Sequence, residues 1–362
     1  MYTEVQQRVP GEPVMSAKLY ALRYYTCFLG PIALIIGWEL GGLPGRAATL
    51  VLYELVAPLA DILLGSGIVG DKLAGNRVNR VSTDVNWFRI PLYLWVVAHG
   101  TMLMWMISKA LSLGWFEICC LSWASGLVTS VSIAVAHELL HRRSKFDRSL
   151  ASFLLSTVLF GHYRIAHNEH HRRVATTEDF GTARFNETPY EFVPRSVFGG
   201  LIFSFLSERS RLSAKGGAWC THQNEFVLNW GMSIAFIGLI WLACGMKGVV
   251  TFICQALVAI SVHEMTTYIE HYGLLRKRRE DGKYEKVSYD HSWLAPQRLT
   301  NYLTFNVQVH PDHHMHALKP YEDLEMTKSP ILPAGYPPMM LLAFITPLWK
   351  RVIHPRLPAN AN

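Results

Sequence analysis

Sixteen histidines are many for 362 residues, and most of them stand in four tight groups. The first is His137-Glu138-Leu139-Leu140-His141 and the second is His167-Asn168-Glu169-His170-His171. The third is Glu270-His271, and the fourth is His310-Pro311-Asp312-His313-His314, followed by His316. Neutral imidazole is a ligand for iron, zinc, copper or nickel. On a helix, positions i, i+3 and i+4 share a face. Each of the doubled groups can therefore bring several imidazoles to one centre.

Nine imidazoles in these groups exceed the three that a catalytic zinc takes. Two metals fit the count better. The first group is also an H-E-x-x-H run, the signature of zinc proteases. A protease of that kind leaves the second and fourth groups without a role. A protein that binds or transports metal without catalysis is a further alternative. Glu138, Glu270 and Asp312 stand beside the imidazoles, where a carboxylate can orient a ring from behind.

These groups need elements to position them, and the surrounding sequence is blocked into apolar stretches. Half of the residues are hydrophobic and only 17% are charged, against roughly 25% in soluble domains. A spanning helix needs about 20 mostly apolar residues. Six stretches meet that, at about 22–43, 47–67, 90–111, 115–136, 226–245 and 248–270. Their short links lie at Gly41–Arg46, Ser112–Gly114 and around Gly245–Gly248. The long connections, 68–89, 137–225 and 271 onward, carry the basic residues. The positive-inside rule places those connections, both termini and all four histidine groups in the cytoplasm. The expected fold is an all-α integral membrane protein, one domain over 1–362, with six transmembrane helices and a cytoplasmic histidine-rich catalytic region.

Two further apolar stretches are too short or too broken to span. Leu150–Phe160 reads as an interfacial or re-entrant helix. Residues 335–349, interrupted by Pro337, Pro338 and Pro347, read as a segment packed at the membrane surface. The first 20 residues are polar and lack the apolar stretch of a signal peptide. The net charge of +7 follows from the basic connections, and no basic patch with interleaved aromatics reads as a nucleic-acid surface. None of the six cysteines forms a C-x-x-C pair, which excludes a zinc ribbon or a fused rubredoxin.

Within the spans, Glu54 and Asp61 are two helical turns apart and share a face directed away from lipid. Glu264 and His263 lie about two turns before His271. Tyr53, Trp95, Trp105 and Trp123 are candidates to line a substrate tunnel or to pack and anchor the helices.

In these motifs the chain resembles the membrane alkane 1-monooxygenases, and more distantly xylene monooxygenase and the membrane fatty acid desaturases. His137–His141 running into Arg142-Arg143 is similar to the first histidine box of that family. His167–His171, followed by Val174-Ala175-Thr176 and Glu178-Asp179, is similar to the second. Tyr268-Ile269-Glu270-His271-Tyr272-Gly273-Leu274 and His291-Ser292-Trp293 leading to His310–His314 resemble its later signatures. The likeness extends to Leu332–Gly335 and Pro347-Leu348-Trp349.

The resemblance implies two non-haem irons held by His137, His141, His167, His170, His171, His271, His310, His313 and His314. It implies O2-dependent hydroxylation of the terminal methyl of a medium-length alkane, in the inner membrane of a bacterium. Methyl hydroxylation of an alkyl-aromatic compound is the next reading, followed by a fatty-acyl desaturase or hydroxylase. It also implies a rubredoxin-type or ferredoxin-type electron donor with its reductase. Arg142, Arg143, Arg172 and Arg173 either dock that donor or hold the cytoplasmic interface. The second box has two residues before its His-His pair where the family has three. That leaves open which iron each imidazole serves, and makes Glu169 a further oxygen donor within reach.

Overall fold

The computed structural model describes residues 17–67 and 84–358. The polar N-terminal segment and most of the basic connection at 68–89 lie outside the described residues. Among the described residues the regular structure is helical, with only isolated β-bridges. Four helices are long and apolar enough to cross a membrane. They are α1 (Lys18–Leu40), α3 (Asp84–Ala110), α4 (Trp115–Leu140) and α8 (Glu225–His271).

The run of 47 residues in α8 would be about 70 Å long if straight, more than twice a bilayer core. It is two arms, because Gly245 holds φ 60° and ψ −157° inside it. The contacts prove the reversal. Ser233 Oγ donates to Ser156 O at 3.0 Å, while Gln255 Nε2 donates to the next carbonyl, Thr157 O, also at 3.0 Å. In a straight helix residues 233 and 255 would be about 33 Å apart. The two stretches expected at 226–245 and 248–270 are thus the arms of one hairpin.

The stretch expected to span at 47–67 is different. Its helical run starts at Ala48, loosens to a π turn over Leu52–Val56, and ends with α2 (Ala57–Leu64) at Gly65. It is not one of the four long helices. It meets α1 at Ala48, beside the point where Gly37 touches Gly45 of the preceding turn. A Cβ on Gly45 would sit 2.1 Å from Gly37 O, so no larger residue fits there. Asp61 turns inward, as its position away from lipid requires, and accepts from Leu299 N (2.6 Å) and Thr300 Oγ1 (2.7 Å). That anchors α9 (Arg298–Leu303).

The connections carrying the histidines are helical too. They comprise α5 (Lys145–Thr157), α6 (Tyr163–Arg173), α7 (Pro189–Ser213) and α10 (His310–Met315). The inner face of α5 is buried against α4 and both arms of α8. The prolines of the C-terminal stretch begin helices rather than breaking one. Pro337 opens α11 (Tyr336–Phe344) and Pro347 opens α12 (Thr346–Ile353), positions where the missing N–H has no partner to lose. Met339, Ala343, Trp349 and Ile353 pack there on Tyr268 and Tyr272.

One polar chain ties the bundle together. Trp95 Nε1 donates to Ser132 Oγ (2.9 Å), which faces His99 Nδ1 (2.9 Å), and His99 Nε2 faces Thr157 Oγ1 (2.8 Å). Thr157 Oγ1 donates to Leu154 O at 2.6 Å. The indole can only donate, so the hydroxyl of Ser132 donates to Nδ1, and His99 donates from Nε2. His99 is neutral and fully buried. It joins α3 to α4, five residues before His137, and to the end of α5, which leads into α6. Replacing His99 with Leu removes one partner each from the Ser132 and Thr157 hydroxyls, which keep their bonds to Trp95 and Leu154, at about 0.5–1.5 kcal/mol per bond lost. Thermal unfolding in detergent is expected to show a lower Tm for His99→Leu and a smaller drop for His99→Gln. An unchanged Tm would remove the chain from the account.

Candidate metal centre

The four sequence groups meet at one end of the bundle and sort into two sets. His137, His141, His167, His171 and His313 form one, and His170, His271, His310 and His314 form the other. Within each set the ligand nitrogens lie within 4.8 Å of one another. Each of the nine expected imidazoles falls in one set or the other.

Helix geometry explains the sorting. On α6, His167 and His171 are i and i+4 and serve the five-histidine set, while His170, at i+3, serves the other. On α10 the roles are exchanged. His310 and His314 serve the four-histidine set and His313 serves the five. Successive residues are turned by about 100°, so neighbouring rings on one helix point to different centres. His137 and His141 share a face at the end of α4, where the helix ends at Leu140. His271 closes the second arm of α8. The shortened second box therefore feeds both sets.

The spacing within the sets is that of ligands. Nε2 atoms meet in the order His137, His313, His171, His167, His141 at 2.9, 3.1, 2.9 and 3.0 Å. In the other set His271 and His314 face His310 at 3.0 and 2.8 Å. An imidazole nitrogen carries either one proton or one lone pair, so an Nε2 that faces two others cannot make a full hydrogen bond to each. With a metal–imidazole bond of about 2.1 Å, two ligands at a right angle stand about 3.0 Å apart. The donor sets fit bound metal ions.

Burial keeps these rings in the form that binds metal. It holds His141 down to about 4 and holds His167, His171, His310, His313 and His314 well below the usual histidine range, with neighbouring imidazoles adding to the effect for the last five. Neutral imidazole is the ligand.

The three acidic candidates end up in different places. Glu270 reaches the centre: its Oε2 is 3.4 Å from His310 Nε2, and its Oε1 accepts from Tyr336 OH at 2.8 Å. Glu138 pairs with Arg142 at 2.9 Å, and Arg142 also faces Glu322 at 3.5 Å. Asp312 accepts from Lys319 Nζ (2.6 Å) and Glu325 N (2.8 Å), and its histidine neighbour is His316, at 3.9 Å. Glu169 pairs with Arg172 and Arg173. Arg142 is thus turned inward, while Arg143 and Arg172 are exposed.

Asp179, which histidine spacing alone does not mark, also reaches the centre. His170 Nδ1 donates to its Oδ2 at 2.8 Å, and Thr182 Oγ1 donates to the same oxygen at 2.6 Å. This leaves His170 Nε2 free to bind metal. The signal was an acid nine residues after a doubled histidine, in the Glu178-Asp179 pair.

A cavity of about 560 Å³ opens beside the centre. His137, His167, His170 and His310 form part of its wall. Trp123, Leu127, Val131 and Ala134 of α4 run along it toward His137. Tyr53, Glu54, His263 and Glu264 also line it. Of the other tunnel candidates, Trp95 is buried on Ser132 and Trp105 donates to Glu39.

This helical bundle with buried histidine sets matches known proteins. Residues 113–343 match the fatty acid desaturase family. The chain is 38% identical over 314 residues to an alkane 1-monooxygenase of Acinetobacter baylyi, covering 85% of this chain and 76% of that protein. It is 33% identical over 326 residues to one of Pseudomonas putida, covering 86% and 78%. The hydroxylase component of xylene/toluene monooxygenase from Pseudomonas putida is 28% identical over 239 residues, covering 65% and 62%. The fold and site define a membrane oxidoreductase of the desaturase class. Within it, the chain belongs to the alkane 1-monooxygenase family, and it is a monooxygenase with multiple apolar helices suited to the membrane.

Replacing Asp179 with Asn should weaken metal binding at the four-histidine set about 10–100-fold. Metal analysis after dialysis is expected to show loss confined to part of the bound metal. Asp312→Ala should keep the full metal content, since its partners are Lys319 and Glu325. The reverse pattern would show that the wrong carboxylate has been assigned to the centre.

Proposed function

We propose that the chain hydroxylates the terminal methyl of a medium-length alkane to a primary alcohol. The observation that carries this is the continuity of the apolar cavity with both histidine sets. From Trp123 to His137 the lining stripe of α4 spans 14 residues, about 21 Å, room for an extended chain to reach the centre end-on. Names of the relatives point to the same substrate class.

The residues divide the work. His137, His141, His167, His171 and His313 would hold one iron, and His170, His271, His310 and His314 the other. Two irons bound there supply the O2 chemistry that breaks an unactivated C–H bond, which no side chain can do. Asp179 orients His170, and Tyr336 fixes the carboxylate of Glu270 against His310. Leu127, Val131 and Ala134 keep water from the reacting carbon and guide it toward His137.

Topology and partners follow from the same reading. The arms of α8, with α1, α3, α4 and the broken run at 48–64, make six passes of one domain. Both termini and the histidine centre lie on the cytoplasmic side of an inner membrane. Electrons come from a rubredoxin-type donor, for which Arg143 and Arg172 offer exposed positive charge beside the centre. With n-octane, 18O2 and a rubredoxin–reductase pair, the product expected is 1-octanol carrying one labelled oxygen, from protein holding about two irons per chain. Unlabelled alcohol, or a chain that binds one zinc and no iron when iron is supplied, would contradict the proposal.

A further inference from the structure

The cavity wall is mostly apolar, and several of its polar atoms have no hydrogen-bond partner in the fold, among them Tyr53 OH, Glu54 Oε2, Gln308 Nε2 and, nearest Ser196, Glu264 Oε2. Glu264 is 5% exposed, and its Oε2 atom is buried with nothing to hydrogen-bond. The Ser196 hydroxyl of α7 stands beside its carboxyl. The neighbouring cation, Arg195, is spent on Glu187 and on the carbonyls of Phe180 and Thr182. Val193, Pro194, Val262 and Met265 share the wall.

A buried carboxyl oxygen without a donor is costly, so the missing donor comes from whatever occupies the cavity. A water needs two to four polar partners to stay, and the side chain bonded to this carboxyl is the Ser196 hydroxyl. A hydroxyl carried on an apolar chain does not need them, because burial of the chain holds it in place. Position sets the length. Glu264 precedes His271 by seven residues on the same helical face, about 10 Å deeper in the bundle. A chain of that length with its methyl at the histidines places its far end at Glu264.

We propose that Glu264 accepts the hydroxyl of a 1-alkanol about 10 Å long, so that this chain takes primary alcohols methyl-end first and converts them to α,ω-diols. The reaction part rests on the monooxygenase reading above; the binding part does not. In the step one terminal C–H bond breaks and one C–O bond forms. The second oxygen of O2 leaves as water, with two electrons from the electron-donor protein and two protons. Alkanoates are excluded, since two carboxylates repel in a wall with no free cation among the described residues.

The test compares 1-octanol with n-octane on wild type, Glu264→Gln and Glu264→Met. Gln still accepts a hydrogen bond and Met keeps the volume without one. The ratio of kcat/KM for 1-octanol to that for n-octane is expected to fall about tenfold in Glu264→Met, through KM. In Glu264→Gln it should fall less, and 1,8-octanediol should be the wild-type product. Binding of 1-octanol to metal-loaded, unreduced protein under argon, read by tryptophan fluorescence, should weaken in the same order. If wild type oxidises neither compound but binds 1-octanol in a Glu264-dependent way, the oxygenase reading fails and the binding site stands. A ratio and affinity unchanged in Glu264→Met would show that the carboxyl pairs with water. Equal loss for both substrates with peroxide release would place Glu264 in the oxygen chemistry instead. Either result overturns the proposal.

Discussion

The structure depends on keeping nine imidazoles together at one end of the bundle, most of them buried. Each ring is a polar group taken from water, and the rings offer one another no consistent pattern of hydrogen bonds. Bound metal satisfies a string of nitrogens that face one another at about 3 Å. Metal binding and folding at this end of the bundle are therefore coupled. Much of the surrounding architecture meets that requirement. α4 and the second arm of α8 end at the two sets and deliver His137 to one and His271 to the other. The short helices α6 and α10 each bridge the two sets, so neither set can form without the other's scaffold.

The site was largely legible in the sequence because histidine spacing on a helix is a strong signal. The groups at 137–141, 167–171 and 310–314 announce shared faces. Their division into five and four was not legible. It depends on how α6 and α10 are rotated toward each other, and the i+3 member of each changes sides. The acidic residues show the same limit. Glu138, Glu270 and Asp312 are all adjacent to ligand histidines in sequence. Adjacency on a helix turns a side chain by about 100°, so Glu138 and Asp312 face Arg142 and Lys319. Asp179, nine residues from His170, comes back to it through the turn after α6.

The fold was read with similar success and for similar reasons. Apolar length marks α1, α3 and α4 directly. It also marks the two arms of α8, although the tight reversal at Gly245 makes them a continuous helical run. Residues 47–67 have the composition of a span, but their π turn and contacts to α1 depend on Gly37 and Gly45 meeting in space. The prolines after Gly335 read as breaks because proline stops helices in their interior. Placed at the first turn, they start them.

The central claim is that two metals sit in two histidine sets that share α6 and α10. The most direct measurement is an iron-edge anomalous map, or a cryo-EM map, of iron-loaded protein in lipid. The account predicts two peaks, one among His137, His141, His167, His171 and His313 and one among His170, His271, His310 and His314. A single peak, or a peak bounded by a different set of side chains, would contradict it.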